Sequence, residues 1–256
     1  MTGVLDSFRL DGRVALVTGA KRNIGLALMR ALAEAGADIL AADRGGEGLE
    51  AAAVPIRAAT GRRIVTVQAD MGRKEDIDRL IEIGHSEFDR MDVLVANAAA
   101  LGLLPDGSLP VVTEVTDDQW EDVFRVNVLG SYRLIRGFIP RLAAGGKGSV
   151  ITLLSGAGFI PVPGAIVYGS SKAALWQMTK YLAHQEPRIR FNSIAPGRVI
   201  EGDPNTPLEQ KMASLTPLNR LGRPQEIAGA CLYLASDAAS YTTGEVIFCN
   251  GGRAWG

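Results

Sequence analysis

Cysteine is scarce. Cys231 and Cys249 are the two in 256 residues, with no metal-ligand spacing and no histidine cluster beside them. That excludes a cysteine-held metal site and fits a reducing compartment. Histidine is as scarce: His85 and His184 stand far apart, in no motif, and are expected on helix faces or the surface. Neither sign of charge dominates, with 27 basic and 28 acidic residues spread along the chain. This excludes the basic footprint of a nucleic-acid binder and a polybasic membrane patch. The first residues, Met-Thr-Gly-Val-Leu-Asp-Ser-Phe-Arg, have neither a basic n-region nor an apolar h-region, so no signal peptide is expected. Residues 149–171 carry no charge, but their glycines and prolines argue against a membrane span. The expectation is a soluble, cytoplasmic protein.

What is present is apolar and periodic. Hydrophobic residues make up 47% of the chain, enough for a large core. The length suits a single α/β domain over 1–256, and no linker, repeat or low-complexity stretch divides it. Residues 13–18 read as a buried strand, Gly19 to Gly25 as a turn, 24–35 as a helix, and 37–42 as a second strand ending at Asp43. The alternation continues with a helix over 48–60, marred by Pro55, and a strand over 64–68 followed by Asp70. A helix over 73–88 and a strand over 92–96 lead to Asn97 and a loop over 101–115. Thr116 and Gln119 have capping-box spacing and open a long helix through Leu142. A strand over 149–154, a helix over 166–185 and a strand over 189–194, broken by Pro196-Gly197, come next. Residues 198–217 are polar and punctuated by proline. A helix from Pro224 and a strand over 245–249 close the chain. About seven strands alternating with helices imply an α/β fold: a doubly wound, Rossmann-type parallel sheet with helices on both faces. Ligands of such sheets bind beyond the strands' carboxyl ends. Thr18, Asp43, Asp70, Asn97, Ser155 and Pro196 all fall there.

Two constellations carry chemistry. The first is strand, glycine turn, helix, and a strand ending in an acid. Glycines let the backbone approach a pyrophosphate, the helix N-terminus faces it, and Asp43 accepts from a ribose. The second is Tyr168 and Lys172, one turn apart on a helix face, with Ser155 at a preceding strand end. A phenol titrates near about 10. A neighbouring ammonium lowers that value, so that the tyrosine can exchange a proton with a substrate oxygen held by Ser155. Taken alone, a Tyr-x-x-x-Lys spacing reads far more readily as a surface pair on an amphipathic helix; the rest of the chain reverses that order.

In order along the chain, Thr18-Gly19-x-x-x-Asn23-x-Gly25, Ala96-Asn97-Ala98-Ala99, Asn127-Val-Leu-Gly130, Ser155, Tyr168-x-x-x-Lys172 and Pro196-Gly197 together resemble the compact short-chain dehydrogenase/reductase family. The resemblance extends through Leu221-Gly-Arg-Pro, Thr243-Gly244 and Asn250-Gly-Gly and covers nearly the whole chain. It implies an NAD(P)-dependent oxidoreductase interconverting a secondary alcohol and a ketone. Tyr168 would be the general acid/base, Ser155 would orient the oxygen, Lys172 would hold nicotinamide-ribose hydroxyls, and Asn127 would hold a water in a proton relay. Implied cofactor residues are Gly19, Arg22, Asn23, Ile24 and Gly25 in the turn, and Asp43 and Arg44 at the ribose. Asp70 and Met71 would flank the adenine, Asn97 and Ala98 would follow the fourth strand, and Tyr168, Lys172, Pro196, Gly197 and Val199 would lie at the nicotinamide end. A homotetramer is also implied.

This sequence departs from the family pattern at several points. Asn23 replaces a glycine, and asparagine tolerates a left-handed backbone. Ala96 and Ala99 replace Asn and Gly, Glu201 stands where many relatives have Thr, and Asn250 replaces a common Asp. Asp43 favours NAD over NADP, against the pull of Lys21, Arg22 and Arg44. The substrate is open. Arg198, Glu201, Asp203 and Asn205 suit a sugar or polyol; Phe159, Ile160 and Val162 suit a hydrocarbon-bearing ketone or acyl thioester. Trp120 and Trp176 are expected in helix packing, and Trp255 at a subunit interface or a neighbour's pocket. A dinucleotide-binding regulator with this fold and no turnover is the alternative.

Overall fold

The computed structural model describes residues 3–204 and 206–253; Asn205 and Trp255 lie outside them. The apolar runs become seven strands: β1 (Val14–Thr18), β2 (Asp38–Asp43), β3 (Ile64–Gln68), β4 (Val93–Ala96), β5 (Gly148–Leu153), β6 (Ile189–Pro196) and β7 (Val246–Cys249). They form one sheet in the order β3-β2-β1-β4-β5-β6-β7, and every pairing is parallel. Parallel strands buried on both faces need no polar alternation, and β1, β4 and β5 are buried at every residue.

The described residues form eight helices around the sheet: α1 (Asn23–Glu34), α2 (Gly46–Thr60), α3 (Lys74–Glu87), α4 (Asp117–Phe124), α5 (Ser131–Ala144), α6 (Ile166–Gln185), α7 (Pro207–Ser214) and α8 (Pro224–Ala235). Successive side chains of a strand point to opposite faces. Ala15 and Val17 of β1 accordingly join Leu28, Leu32 and Leu234 of α1 and α8, while Leu16 joins Leu80 and Phe138 of α3 and α5. No described helix is long and apolar enough to cross a membrane.

Three expectations need correction. The long helix from Thr116 is capped as expected, by Gln119 N–H on Thr116 Oγ1 and Thr116 N–H on Gln119 Oε1. It does not run unbroken, however: Arg125–Gly130 forms a π-helical turn between α4 and α5. Strand β6 is not broken at Pro196 but ends on it, opposite Cys249; its pairing with β5 stops at Leu153–Ile194, so no ladder bond to β5 is lost at the proline nitrogen. The polar stretch 198–217 contains α7, whose N-terminus is capped by Thr206 and Glu209 with Pro207 in its first turn. Pro55, by contrast, lies inside α2 without ending it.

Candidate active site

The turn between β1 and α1 opens onto a cleft of about 860 Å³ at the carboxyl ends of the sheet. Gly19 has φ +66°, and a Cβ on Gly25 would stand 1.9 Å from the Gly19 carbonyl oxygen, so neither position takes a side chain. Asn23 adopts φ 51°, the left-handed backbone expected of asparagine in a glycine's place. Helix α1 begins after Arg22 with no side chain capping it. Its first amides therefore face the cleft as anion donors.

Hydrogen bonds fix the rim. Thr18 Oγ1 accepts from the amides of Asn97 and Ala98, each at 3.0 Å, and Asn97 Nδ2 donates to the Thr18 carbonyl at 2.8 Å. The ends of β1 and β4 are thereby tied together even though Ala96 and Ala99 replace the family's Asn and Gly. The Asp43 carboxylate accepts from Lys21 N–H at 3.2 Å and Gly45 N–H at 2.9 Å. Asp70 accepts from Gly72 N–H at 2.8 Å.

Ser155 follows β5 and Tyr168 lies in the first turn of α6, where the Ser155 hydroxyl is near enough to the phenol to pull its pKa down. Lys172 Nζ is buried and donates to the Leu153 carbonyl at 2.6 Å, 5.6 Å from the centre of the Tyr168 ring. A buried hydroxyl chain holds α6 to the sheet: Thr152 Oγ1 lies 3.0 Å from Thr179 Oγ1 and 2.8 Å from Ser193 Oγ. Asn127, in the π-helical turn, is fully buried. Its Nδ2 donates to the Ala100 carbonyl and to Ser171 Oγ, both at 2.9 Å, and its Oδ1 accepts from Ala100 N–H at 2.8 Å.

Burial governs the ionisation of the pair. Desolvation pushes the Tyr168 phenol above its usual value, with the Ser155 hydrogen bond opposing it, and lowers Lys172 to about 7. The sequence expectation of a tyrosine lowered by its lysine is therefore not met in the cofactor-free protein. Taking both groups out of water favours their neutral forms.

The family profile described as enoyl-(acyl carrier protein) reductase matches residues 19–254. An uncharacterized oxidoreductase of Mycobacterium tuberculosis is 39% identical, over 97% of this chain and 95% of its own. The chain belongs to the short-chain dehydrogenase/reductase family. Among solved structures similar to this short-chain dehydrogenase/reductase is a 7α-hydroxysteroid dehydrogenase complexed with NADH and 7-oxo glycochenodeoxycholic acid. It has a TM-score of 0.90 and 29% identity, over 100% of this chain and 99% of that one. Another is the L-sorbose reductase of Gluconobacter frateurii complexed with NADPH and L-sorbose, with a TM-score of 0.86 and 29% identity over 96% and 98%. These relatives are oxidoreductases and lend no support to a regulator without turnover.

Within this short-chain dehydrogenase/reductase, the expected turn, ribose and adenine residues Gly19, Arg22, Asn23, Ile24, Gly25, Asp43, Arg44, Asp70 and Met71 line the cleft, with Asn97 and Ala98. Asn127, Ser155, Tyr168, Lys172, Pro196, Gly197 and Val199 do not line it. They stand beside it, on the π-helical turn, on α6 and beyond the ends of β5 and β6. Ala100 joins the two groups, since it lines the cleft and is bonded to Asn127. Leu101, Leu103, Gln119 and Val126 also line the cleft and were not anticipated. The available signal was the long loop after β4, because β4 lies beside β1 in the sheet.

Phe159, Trp120, Trp176 and His85 are packing residues. Phe159 stacks with Trp176 at 4.8 Å and Phe248 at 4.9 Å, and Trp120 with Phe124 at 5.7 Å. His85 packs on Phe138, and burial lowers its pKa; His184 is exposed. Among the described residues no cluster of His, Cys, Asp or Glu could hold a metal.

Proposed function

We propose that this oxidoreductase interconverts a secondary alcohol and a ketone, with Tyr168 as the general acid/base. The observation that carries the reading is Ser155 beyond the end of β5 and Tyr168 in the first turn of α6, near enough to interact, beside a cleft whose lining suits a dinucleotide. The cleft suits that ligand by its chemistry: uncapped helix amides for a pyrophosphate, glycines that admit close approach, and a fixed carboxylate for a ribose. A nicotinamide dinucleotide held there would supply the hydride acceptor or donor for the substrate carbon. Ser155 holds the substrate oxygen. In reduction the phenol, which burial keeps protonated at neutral pH, gives its proton to that oxygen. In oxidation the O–H proton passes back to Tyr168 as the C=O bond forms. Lys172 would hold ribose hydroxyls.

The preferred dinucleotide is NAD, because Asp43 would repel a 2′-phosphate; Lys21, Arg22 and Arg44 share its cleft and oppose that preference. A homotetramer is part of the same reading. It is supported by an apolar groove of about 450 Å³ lined by Phe124, Val128, Leu129, Tyr132 and Met178.

The test is nicotinamide absorbance with NAD⁺ and NADP⁺ against secondary alcohols, and with the reduced forms against ketones. Turnover lost in Tyr168→Phe is the expected result. Turnover that the variant retains in full overturns the mechanism.

A further inference from the structure

Three loops leave the carboxyl ends of the adjacent strands β4, β5 and β6, and Ser155 lies on the middle one. The segments flanking it expose large apolar side chains among their polar ones. After β4, Leu101, Leu103, Leu109, Val111 and Val112 are exposed, Val112 to 68%. The two charges on that loop are turned onto the loop itself. Asp106 accepts from the Ser108 amide at 2.9 Å and hydroxyl at 2.7 Å, and Glu114 accepts from Val111 N–H at 3.0 Å. The loop also leans on the middle one: a Cβ on Gly164 would lie 2.6 Å from Leu109 Cβ. Ile166, two residues before Tyr168, is exposed as well.

The segment after β6 mirrors this. Leu208 and Met212 of α7 and Leu215 at its C-cap follow the i, i+4, i+7 spacing of one helix face, and Leu208 and Leu215 are 65% and 54% exposed. Several charges nearby face one another: Arg198 and Glu209 at 3.9 Å, Arg223 and Asp203 at 3.8 Å. Glu201 and Lys211 are exposed to water. The chain after α7 is tied to the end of β7 by Leu218 N–H on the Gly251 carbonyl at 3.2 Å, so α7 leaves from β6 and its segment returns beside β7. A helix normally buries its apolar stripe. This one leaves it in solvent, on the segment that follows the carboxyl end of β6.

We propose that the substrate is a hydrophobic one: a secondary alcohol or ketone on a hydrocarbon body free of charged and hydroxyl substituents. The body lies between the β4–α4 loop and the Leu208/Leu215 face of α7, with its oxygen at Ser155 and Tyr168. The proposal rests on the alcohol/ketone reading above. A polyol in the same place would leave its hydroxyls against leucine and valine, where unpaired polar groups are costly.

The test is a series of methyl ketones of rising chain length and cyclic ketones, beside ketoses of equal carbon number. Each is titrated calorimetrically into Tyr168→Phe protein with reduced cofactor present, and assayed with wild type for kcat/KM. Affinity and kcat/KM are expected to rise about fourfold per added methylene. Leu208→Ser with Leu215→Ser is expected to flatten the series while leaving cofactor affinity unchanged. A flat wild-type series, or a ketose bound more tightly than the ketone of equal carbon number, overturns the proposal. A rising binding series without hydride transfer by wild type upholds it and instead overturns the reaction reading, so the two failures are distinguishable.

Discussion

Asn127 and Ala100 hold each other from both sides: the asparagine amide donates to the Ala100 carbonyl while its oxygen accepts from the Ala100 amide. The second amide proton goes to Ser171. Both side-chain protons are thus used in fixing the loop after β4 to the helix that carries Tyr168. Asn127→Ala is expected to leave the Ala100 groups unpaired and cost about 1–3 kcal/mol of stability. Asn127→Asp keeps the acceptor and loses the donation. It is expected to cut kcat by about 10²-fold at a thermal midpoint above that of the alanine variant. Steady-state kinetics beside thermal unfolding checks both.

Lys172 makes the cofactor-free protein sensitive to pH. Its folded pKa is about 7, against 10.5 for the free side chain. Above pH 7 the unfolded chain therefore binds more protons than the native one, and stability rises with pH. Above pH 9 the Cys231 thiol, pushed up to about 12 from 9.0, acts in the opposite sense, as does Tyr168. From pH 7 to roughly pH 8.5 the gain is expected to reach about 2 kcal/mol. It should disappear in Lys172→Met. Denaturant midpoints at the two pH values measure it.

Asp43 is the negative charge among Lys21, Arg22 and Arg44 in the cleft. Asp43→Ser removes it and is expected to shift the ratio of kcat/KM for NAD over NADP toward NADP by about tenfold or more, since tenfold is about 1.4 kcal/mol. An unchanged ratio would place the adenosine ribose elsewhere.

Leu129 and Tyr132 are exposed beside an apolar groove. Replacing both with glutamate is expected to convert a four-chain particle into a smaller one without loss of fold. Light scattering after size exclusion, with circular dichroism as control, reads this directly.

Much of this was written into the sequence by residues whose local physics is strong. Thr116 and Gln119 close their capping box as spacing alone predicts, and Asn23 bends left-handed where a glycine usually stands. Helix α7 was legible too, in Thr206-Pro207 and Glu209, but the prolines and polar residues around it masked the signal. The π-helical turn was not legible. Its residues have ordinary helical spacing, and the bulge is visible only once Asn127 meets Ala100, a long-range contact that no local pattern encodes. The ionisation of Tyr168 and Lys172 was illegible for a related reason: proximity follows from spacing, but desolvation depends on everything packed around the pair.

The π-helical turn at Arg125–Gly130 is an insertion hidden inside a rod. One residue beyond an α-turn advances every later side chain by about 100°. The stretches before and after it are therefore two phases of one helix. Deleting a single residue there would leave a continuous helix, yet rotate Leu134 and Phe138 away from the sheet and carry Asn127 off Ala100. A residue added near Pro105 in the exposed loop has no such lever. Tolerance of length change near this site depends less on distance from Tyr168 than on whether the segment is keeping count of helical turns.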